Sequence, residues 1–252
     1  MNAVLLIGGL GTRLRPLTLT TPKPLLPVLG RPFLAYQIEM LKTNGITEIV
    51  LCTAYKPEAF KRVFDNGERY GVHLNYVHED TPRGTGGAIK NAEAWAEKET
   101  LIFNGDILMD LDIKGLLSFH RERKAALTIA LTTVENPSAY GLIETDGQGR
   151  ISRFLEKPKP EEVTCHTINA GAYIFSREIF AQIPPASVVS VERDIFPRLL
   201  ANGFPCYGLL SDGYWLDLGT IEKYAQAHKD ILLGKHKGIA PERIIQEMVG
   251  RY

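Results

Sequence analysis

The chain has 252 residues, of which 44% are hydrophobic and 23% are charged, and this composition excludes disordered, collagenous and coiled-coil proteins. The 29 Lys and Arg residues balance the 29 Asp and Glu residues, so long-range attraction to nucleic acid or to an anionic membrane is weak. The apolar runs are too short to span a bilayer, and the first residues lack the pattern of a secretory signal. The sequence therefore predicts a cytoplasmic protein without nucleic acid or membrane partners.

Short apolar runs alternate with helical patterns over the first hundred residues. The runs are too continuous for half-exposed strands and predict a buried, mostly parallel sheet. Apolar residues at helical spacing lie between them and predict flanking helices. The predicted strands are 4–7, 49–52, 74–77 and 101–103, and the predicted helices are 33–44, 57–70 and 87–98.

Beyond residue 101 the pattern changes to strands joined by loops. Strand-like runs at 127–134, 142–144, 151–154 and 170–175 predict antiparallel strands that extend the sheet. Helical patterns occur at 113–120, 177–183, 191–201 and 221–233. The sequence thus predicts an α/β fold with a Rossmann-like, mixed but mostly parallel sheet, flanking helices and a smaller second lobe. The tail at 234–252 is predicted to form a short docked helix.

A glycine-rich turn follows the first predicted strand. Gly8, Gly9 and Gly11 let the backbone approach a ligand closely, and successive N–H groups in such a turn suit phosphate oxygens. Alone it is a weak signal, because it matches neither the P-loop nor the G-x-G-x-x-G pattern. Arg13 and Lys23 strengthen it, since prolines on both sides of Lys23 stiffen that segment and acidic residues are absent nearby. The combination favours a nucleoside triphosphate site over a solvated surface pair.

Two aspartates are candidate ligands for Mg²⁺. Asp106 ends an apolar run, and open α/β sheets bind ligands at the carboxyl ends of their strands. Asp217 has bulky apolar neighbours, where a carboxylate needs a partner. A Mg²⁺ ion held by one or two carboxylates and by substrate phosphates would supply that partner. Each aspartate alone is equally well explained as a helix cap or a salt-bridge partner.

The sequence contains seven motifs, which are in chain order GGLGTRLRPLT at 8–18, PKPLLP at 22–27, GTGG at 84–87, NGD at 104–106, EKP at 156–158, NAG at 169–171 and WLDLG at 215–219. In this order they resemble the signature of the sugar-1-phosphate nucleotidylyltransferases. Another segment, SVERDIFP at 190–197, resembles the branch of that family that transfers guanylyl groups to mannose 1-phosphate.

The resemblance implies a GT-A-like nucleotidyltransferase fold. The catalytic domain would span 1–233, with a nucleotide-binding half at about 1–110 and a sugar-binding half at about 111–233. It would form a nucleotide sugar and pyrophosphate, with Mg²⁺ as cofactor, and GTP and mannose 1-phosphate are the favoured substrates. The alternatives are uridylyl or thymidylyl transfer to glucose 1-phosphate or another sugar phosphate, and a non-catalytic homologue that binds a nucleotide sugar. Assembly into a homo-oligomer is left open.

The resemblance also implies a role for each matching residue. The expected catalytic residues are Arg13, Lys23, Asp106, Lys157 and Asp217. The expected nucleotide-binding residues are Leu6, Gly8, Gly9, Gly11, Thr12, Arg13, Lys23, Glu79, Gly84, Gly86 and Asp106. The expected sugar-phosphate-binding residues are Gly141, Glu156, Lys157, Asn169 and Gly171. The expected metal ligands are Asp106 and Asp217.

Glu79 stands five residues before Gly84, where the family has a side chain that reads the base. A carboxylate there can accept hydrogen bonds from both N1–H and the 2-amino group of guanine, whereas uracil and thymine offer one imide N–H. Guanine is therefore the favoured base. The alternative is that Glu79 is a solvated acid in the polar run at 78–80.

Overall fold

The computed structural model describes residues 1–249. A nine-stranded mixed sheet forms its centre, accompanied by two ribbons of two strands each. The strands in chain order are β1 (Asn2–Leu6), β2 (Pro27–Val28), β3 (Arg31–Pro32), β4 (Glu48–Thr53), β5 (His73–His78), β6 (Glu99–Asn104), β7 (Ile107–Met109), β8 (Leu127–Thr133), β9 (Gly141–Thr145), β10 (Ile151–Glu156), β11 (Thr167–Ser176), β12 (Cys206–Leu210) and β13 (Trp215–Asp217).

The order of the strands confirms the predicted mixed sheet. The main path is β10-β9-β11-β6-β1-β4-β5, and β8 pairs with both β11 and β12. Strands β6, β1, β4 and β5 are parallel to one another, whereas β11 runs antiparallel to β6 and β8. The first half of the chain therefore supplies a parallel sheet, and the second half extends it mainly with antiparallel pairs, to which the parallel pair of β8 and β12 is added.

Helices cover both faces of the parallel strands. Successive side chains of a strand point to opposite faces, so Leu5 packs in one core with Ile38 and Phe60, and Val4 packs in another with Ile89 and Phe180. Burial on both faces explains why these strands are continuous apolar runs. The described residues form the helices α1 (Phe33–Thr43), α2 (Pro57–Phe64), α3 (Gly84–Asn91), α4 (Ile113–Glu122), α5 (Glu178–Ala181), α6 (Phe196–Ala201), α7 (Ile221–Leu232) and α8 (Pro241–Val249).

The tail packs on the rest of the molecule. Ile244 of α8 is buried in a third hydrophobic cluster with Phe33 of α1 and Ile231 of α7, so this helix packs against α1 and α7. Residues 250–252 of that tail lie outside the described residues. Nowhere in 1–249 is there a helix long and apolar enough to cross a lipid bilayer.

Three predicted helices have different bounds from those expected. The one predicted at 191–201 is α-helical only from Phe196, and Val191–Ile195 before it form a π-helical turn. The helix predicted at 57–70 ends at Phe64, because Asp65 has φ 49° and Gly67 has φ 90°, and a left-handed residue interrupts a right-handed helix. The helix predicted at 87–98 begins earlier, at Gly84, and ends at Asn91. Glycine has a low helix propensity, which hid the true start of this helix.

Candidate active site

A cavity of about 330 Å³ lies at the carboxyl ends of the four parallel strands. Residues that end or follow each of these strands line it, as expected for an open α/β sheet. Of the residues predicted to bind the nucleotide, the structure places the following in its wall: Leu6, Gly8, Gly9, Lys23, Glu79, Gly84 and Asp106.

The glycine turn packs against the segment that carries Lys23. Gly11 has φ 61°, and a Cβ atom there would lie 3.1 Å from Cβ of Lys23 and 3.0 Å from Cγ2 of Thr18. The Thr18 hydroxyl donates to the carbonyl oxygen of Gly11 at 2.7 Å. Only glycine fits this close approach, and the approach places Lys23 beside the turn. Thr12, which is exposed, follows as the first residue of a short 3₁₀ turn.

Lys23 is a buried cation that faces a carboxylate. Its side chain is 9% exposed, and Nζ donates to Oδ2 of Asp106 at 2.8 Å. Pro24 follows it inside a one-turn 3₁₀ helix, where the fixed φ of proline restrains the backbone. The structure therefore brings together two of the predicted catalytic residues.

A side chain from α1 holds the turn that carries Asp106. Nε2 of the buried Gln37 donates to the carbonyl oxygens of Asn104 at 3.0 Å and Ile107 at 2.8 Å. These two carbonyls flank Asp106 in the chain. Gln37 therefore fixes the backbone on both sides of the carboxylate, and the sequence offered no signal for this role, because its partners lie far along the chain.

Asp217 reaches the same region through the ribbon of β7 and β13. It pairs with Ile107, and the N–H of Leu218 donates to the carbonyl oxygen of Asp106 at 2.8 Å. Burial alone would raise the pKa of Asp217, but hydrogen bonds from Lys223 and Tyr140 and the charge of Lys23 hold it below its ordinary value. Lys23 thus bonds to one carboxylate and acts electrostatically on the other.

The two aspartates form a donor set that fits a divalent cation. Carboxylate oxygens are hard ligands of the kind that Mg²⁺ prefers, and the ammonium group of Lys23 already acts on both Asp106 and Asp217. Within residues 1–249 no cluster of three or more His, Cys, Asp or Glu side chains could hold a metal. Substrate phosphates would therefore have to complete the coordination of an ion at this place.

Arg13 lies beside Asp217. A Cβ atom on Gly219 would be 2.5 Å from Oδ2 of Asp217 and 3.2 Å from Nη2 of Arg13. Gly219 therefore leaves the space in which the carboxylate and the guanidinium group come close. The predicted residue Arg13 thus joins the cluster of Lys23 and Asp217, although it does not line the cavity.

Of the predicted sugar-phosphate residues, Gly141 begins β9, Glu156 ends β10 and Lys157 directly follows it. Gly141 pairs with Glu156, and a Cβ atom on Gly141 would lie 3.0 Å from Oε2 of Glu156. Burial, and then the charge of Glu192, raise the pKa of Glu156, which Lys157 opposes. Lys157 is exposed with φ 52°, and its N–H donates to the carbonyl oxygen of Tyr140 at 2.9 Å.

Asn169 and Gly171, the other two predicted sugar-phosphate residues, lie on β11 next to the 330 Å³ cavity. Gly171 has φ 81° and interrupts the pairing of β11, and its N–H donates to Oδ1 of Asn169 at 2.8 Å. Nδ2 of Asn169 donates to the hydroxyl of Tyr173 at 2.8 Å. A Cβ atom on Gly171 would lie 3.1 Å from Nδ2 of Asn104, a residue that lines the cavity.

Sequence reasoning missed a cluster around Asp217. Oδ1 of Asp217 accepts hydrogen bonds from the hydroxyl of Tyr140 at 2.7 Å and from Nζ of Lys223. The ring of Trp215 contacts Tyr140 edge to face with centroids 5.4 Å apart, and its Nε1 donates to the carbonyl oxygen of Ala170 at 2.9 Å. These contacts join β13 to β11 and to the residue before β9. The WLDLG motif could have drawn attention to Trp215, whereas Lys223 carried no signal.

Asp217 and Asp106 line different cavities. Asp217 lines a second cavity of about 590 Å³ with Tyr140, Trp215 and Lys223, and Asp106 lines the first. The β7–β13 ribbon therefore lies at the boundary between the two. A ligand that spans both cavities would pass the two carboxylates.

Glu79 is not the solvated acid that the polar run at 78–80 allowed. It is only 7% exposed, and its Oε1 accepts a hydrogen bond from Nδ2 of Asn91 at 3.0 Å. Burial raises the pKa of Glu79, and the backbone N–H and charge of Arg83 partly oppose this. Gly86, also predicted at this site, lies behind the wall, where its N–H donates to the carbonyl oxygen of Val189 at 2.8 Å.

Comparisons with known proteins agree with this geometry. The chain is 43% identical to a mannose-1-phosphate guanylyltransferase of Mycobacterium tuberculosis, over 96% of the chain and 66% of that protein. It is 34% identical to a UTP–glucose-1-phosphate uridylyltransferase of Synechocystis, over 95% of the chain and 65% of that protein. The chain thus spans slightly less than two thirds of the length of these relatives.

A solved structure shares the fold. HddC from Yersinia pseudotuberculosis, in a crystal structure complexed with GMP-PN, superposes with a TM-score of 0.78 at 29% identity, covering 91% of this chain and 98% of that one. The sequence model of the nucleotidyl transferase family matches residues 2–233. The chain therefore belongs to the nucleotidyl transferase family.

Proposed function

We propose that this chain is a sugar-1-phosphate nucleotidylyltransferase that forms GDP-mannose and pyrophosphate from GTP and mannose 1-phosphate. The observation that carries this proposal is the contact between the two predicted substrate sites. Lys23 and Asp106 pair inside the nucleotide cavity, and Gly171 on the sugar side lies against Asn104 in the wall of the same cavity. The 43% identity to a guanylyltransferase supports the choice of substrates.

The reaction needs no general base. The second pKa of a phosphate monoester is about 6, so the sugar phosphate is already largely a dianion near neutral pH. In the part of the chain that the structure describes, no histidine lines the nucleotide cavity. A phosphate oxygen of mannose 1-phosphate would attack the α-phosphorus of GTP in line, and pyrophosphate would leave. Catalysis then depends on positioning and on charge neutralisation.

The basic residues would hold the two substrates together against their mutual repulsion. Backbone N–H groups of the glycine turn would bind the triphosphate, with Arg13 and Lys23 on its β and γ phosphates. Lys157 would bind the phosphate of the sugar. Mg²⁺, when held by Asp106 and Asp217, would supply further positive charge to the reacting phosphates.

The second candidate is uridylyl transfer to glucose 1-phosphate, which the relative from Synechocystis supports. Glu79 favours the first candidate, because a carboxylate can accept both N–H donors of guanine at once. The boundary near residue 110, a homo-oligomeric state and the cytoplasmic location stay predictions.

A matrix of pyrophosphate release tests the proposal. GTP, UTP, dTTP, ATP and CTP are each combined with mannose 1-phosphate or glucose 1-phosphate in the presence of Mg²⁺. We expect the highest kcat/KM for GTP with mannose 1-phosphate, and no pyrophosphate without a sugar phosphate. Asp106→Asn keeps the size of the side chain but removes its charge, and this control should lose turnover. A maximum for UTP with glucose 1-phosphate favours the second candidate, and no pyrophosphate from any pair contradicts both.

A further inference from the structure

Asn91, the last residue of α3, reaches back to Glu79 at the start of the loop that leads into the same helix. Its Nδ2 donates to Oε1 of Glu79 at 3.0 Å, and both side chains are at least partly buried. Asn91 stands outside every motif that points to the family and does not line the cavity. Any effect of Asn91 on a nucleotide in the cavity therefore acts through Glu79.

The carboxylate of Glu79 keeps free capacity for a ligand. An ionised carboxylate has about four acceptor sites; Asn91 occupies one of them on Oε1, and the backbone N–H of Arg83 occupies another. Glu79 lines the cavity together with Cys52 and Ala88, and neither of these two side chains supplies a strong donor. A base in the cavity can therefore use the remaining acceptor sites.

A carboxylate reads guanine only if its plane is fixed. N1–H and the 2-amino group lie side by side on one edge of the base, so both carboxylate oxygens must lie near the plane of that base. The terminal torsion of a glutamate is broad, and on its own it would let the carboxylate rotate out of this plane. A hydrogen bond from a half-buried amide to one oxygen removes that freedom.

The helix links this contact to the phosphate end of the cavity. Helix α3 has eight residues from Gly84 to Asn91, a length of about 12 Å at 1.5 Å per residue. Gly84 lines the cavity, and Asn91, at the other end of the helix, bonds to Glu79. One rigid element thus positions the wall of the phosphate site and the side chain proposed to read the base.

We propose that Asn91 is a positioning residue for selection of the base: it fixes the plane of the Glu79 carboxylate so that both oxygens accept the N–H donors of guanine. This inference rests on the proposed use of GTP. It assigns base selectivity to a residue that makes no contact with the nucleotide.

The test compares three nucleotides in two variants. ITP lacks only the 2-amino group of GTP, and UTP presents a single imide N–H. Asn91→Leu keeps the approximate size and removes the donor. Lys90→Met is the matched control, because Lys90 precedes Asn91 on the helix but donates to the carbonyl oxygen of Phe180 at 3.0 Å instead. For each protein, kcat/KM and the dissociation constant are measured for each nucleotide, together with KM for the sugar phosphate.

We expect Asn91→Leu to lower the GTP-to-ITP and GTP-to-UTP ratios of kcat/KM about tenfold, the size expected for losing one hydrogen bond to a charged group. The loss should appear in KM and the dissociation constant for GTP, with KM for the sugar phosphate unchanged. Lys90→Met should keep the ratios of the unaltered chain. If Asn91→Leu does not fold, Asn91→Ser, whose side chain is too short to reach Glu79, carries the same expectation.

Two contrary results have different meanings. If the Asn91 variants keep both ratios within twofold while Glu79→Gln lowers them, the role of Asn91 is overturned and base reading by Glu79 stands. If Glu79→Gln also keeps both ratios, base reading by Glu79 fails, and the inference about Asn91 fails with it. Pyrophosphate release from GTP and mannose 1-phosphate would still support the proposed reaction in both cases.

Discussion

Replacing the buried His120 by glutamine is expected to remove the part of the acid sensitivity of this fold that comes from this histidine. His120 lies on α4 and is 2% exposed. Its Nδ1 lies 2.8 Å from the hydroxyl of Thr128, and its Nε2 lies 3.1 Å from the hydroxyl of Ser176. Because Ser176 donates its own proton to the carbonyl oxygen of Ala125, Nε2 donates to Ser176. In the neutral ring Nδ1 then accepts from the hydroxyl of Thr128.

Burial lowers the pKa of His120 to about 4 from its ordinary value of 6.5, and Glu99 opposes this only in part. Between these two values the unfolded chain binds a proton that the folded chain does not, so the free energy of unfolding falls as the pH falls. The separation of about 2.5 pH units at about 1.4 kcal/mol per unit gives a loss of about 3 kcal/mol. The free energy of unfolding keeps this contribution of about 3 kcal/mol from His120 above pH 6.5 and has lost it at pH 4.

Denaturant unfolding at several pH values between 7.5 and 4 measures this effect. Glutamine can accept from Thr128 and donate to Ser176 but does not titrate, so the difference in stability between the unaltered chain and His120→Gln isolates the histidine. That difference should shift by about 3 kcal/mol in favour of the variant as the pH falls. His73→Gln, at an exposed position of β5, is the control. The reasoning would be refuted if the free energy of unfolding changed with pH in the same way for His120→Gln and for the unaltered chain.

Three substitutions test the site itself. A Cβ atom on Gly105 would lie 2.7 Å from the carbonyl oxygen of Leu6. Gly105→Ala should therefore displace the turn that carries Asp106 and lower kcat about 100-fold. Near-normal pyrophosphate release would show that the turn tolerates the shift. Tyr140→Phe removes the hydrogen bond to Asp217. It should lower kcat/KM about tenfold and change the free energy of unfolding by about 1 kcal/mol. Unchanged kinetics would exclude a role of this hydroxyl in the reaction. Lys157→Ala should raise KM for mannose 1-phosphate about tenfold more than KM for GTP, and an equal rise in both constants would argue against its place on the sugar phosphate.

The parallel half of the sheet could be predicted because its strands are buried on both faces. Burial on both faces leaves a run of consecutive apolar residues in the sequence, as in β1 and β6. The ribbon of β7 and β13 could not be predicted. Each of its strands has three residues, too few for a pattern, and their pairing joins distant parts of the chain.

In the candidate site, too, the residues with a local signal in the sequence could be predicted, and those that depend on distant partners could not. Asp106, Lys23 and the glycine turn stand next to local signals, namely a strand end, two prolines and closely spaced glycines, and the structure brings them together. Gln37 and Lys223 act on partners far along the chain. A polar residue on a helix is ordinarily solvated, so only the folded chain reveals that Gln37 holds the turn of Asp106 and that Lys223 bonds to Asp217.

Tracing the oxygen atoms of the sugar phosphate tests the proposed reaction most directly. Mannose 1-phosphate labelled with ¹⁸O in its non-bridging phosphate oxygens is incubated with unlabelled GTP and Mg²⁺, and the products are analysed by ³¹P NMR. If the sugar phosphate attacks the α-phosphorus, all of the label appears in GDP-mannose, including the oxygen between its two phosphorus atoms, and none appears in pyrophosphate. Label in pyrophosphate, or GDP as the nucleotide product, would contradict this reaction.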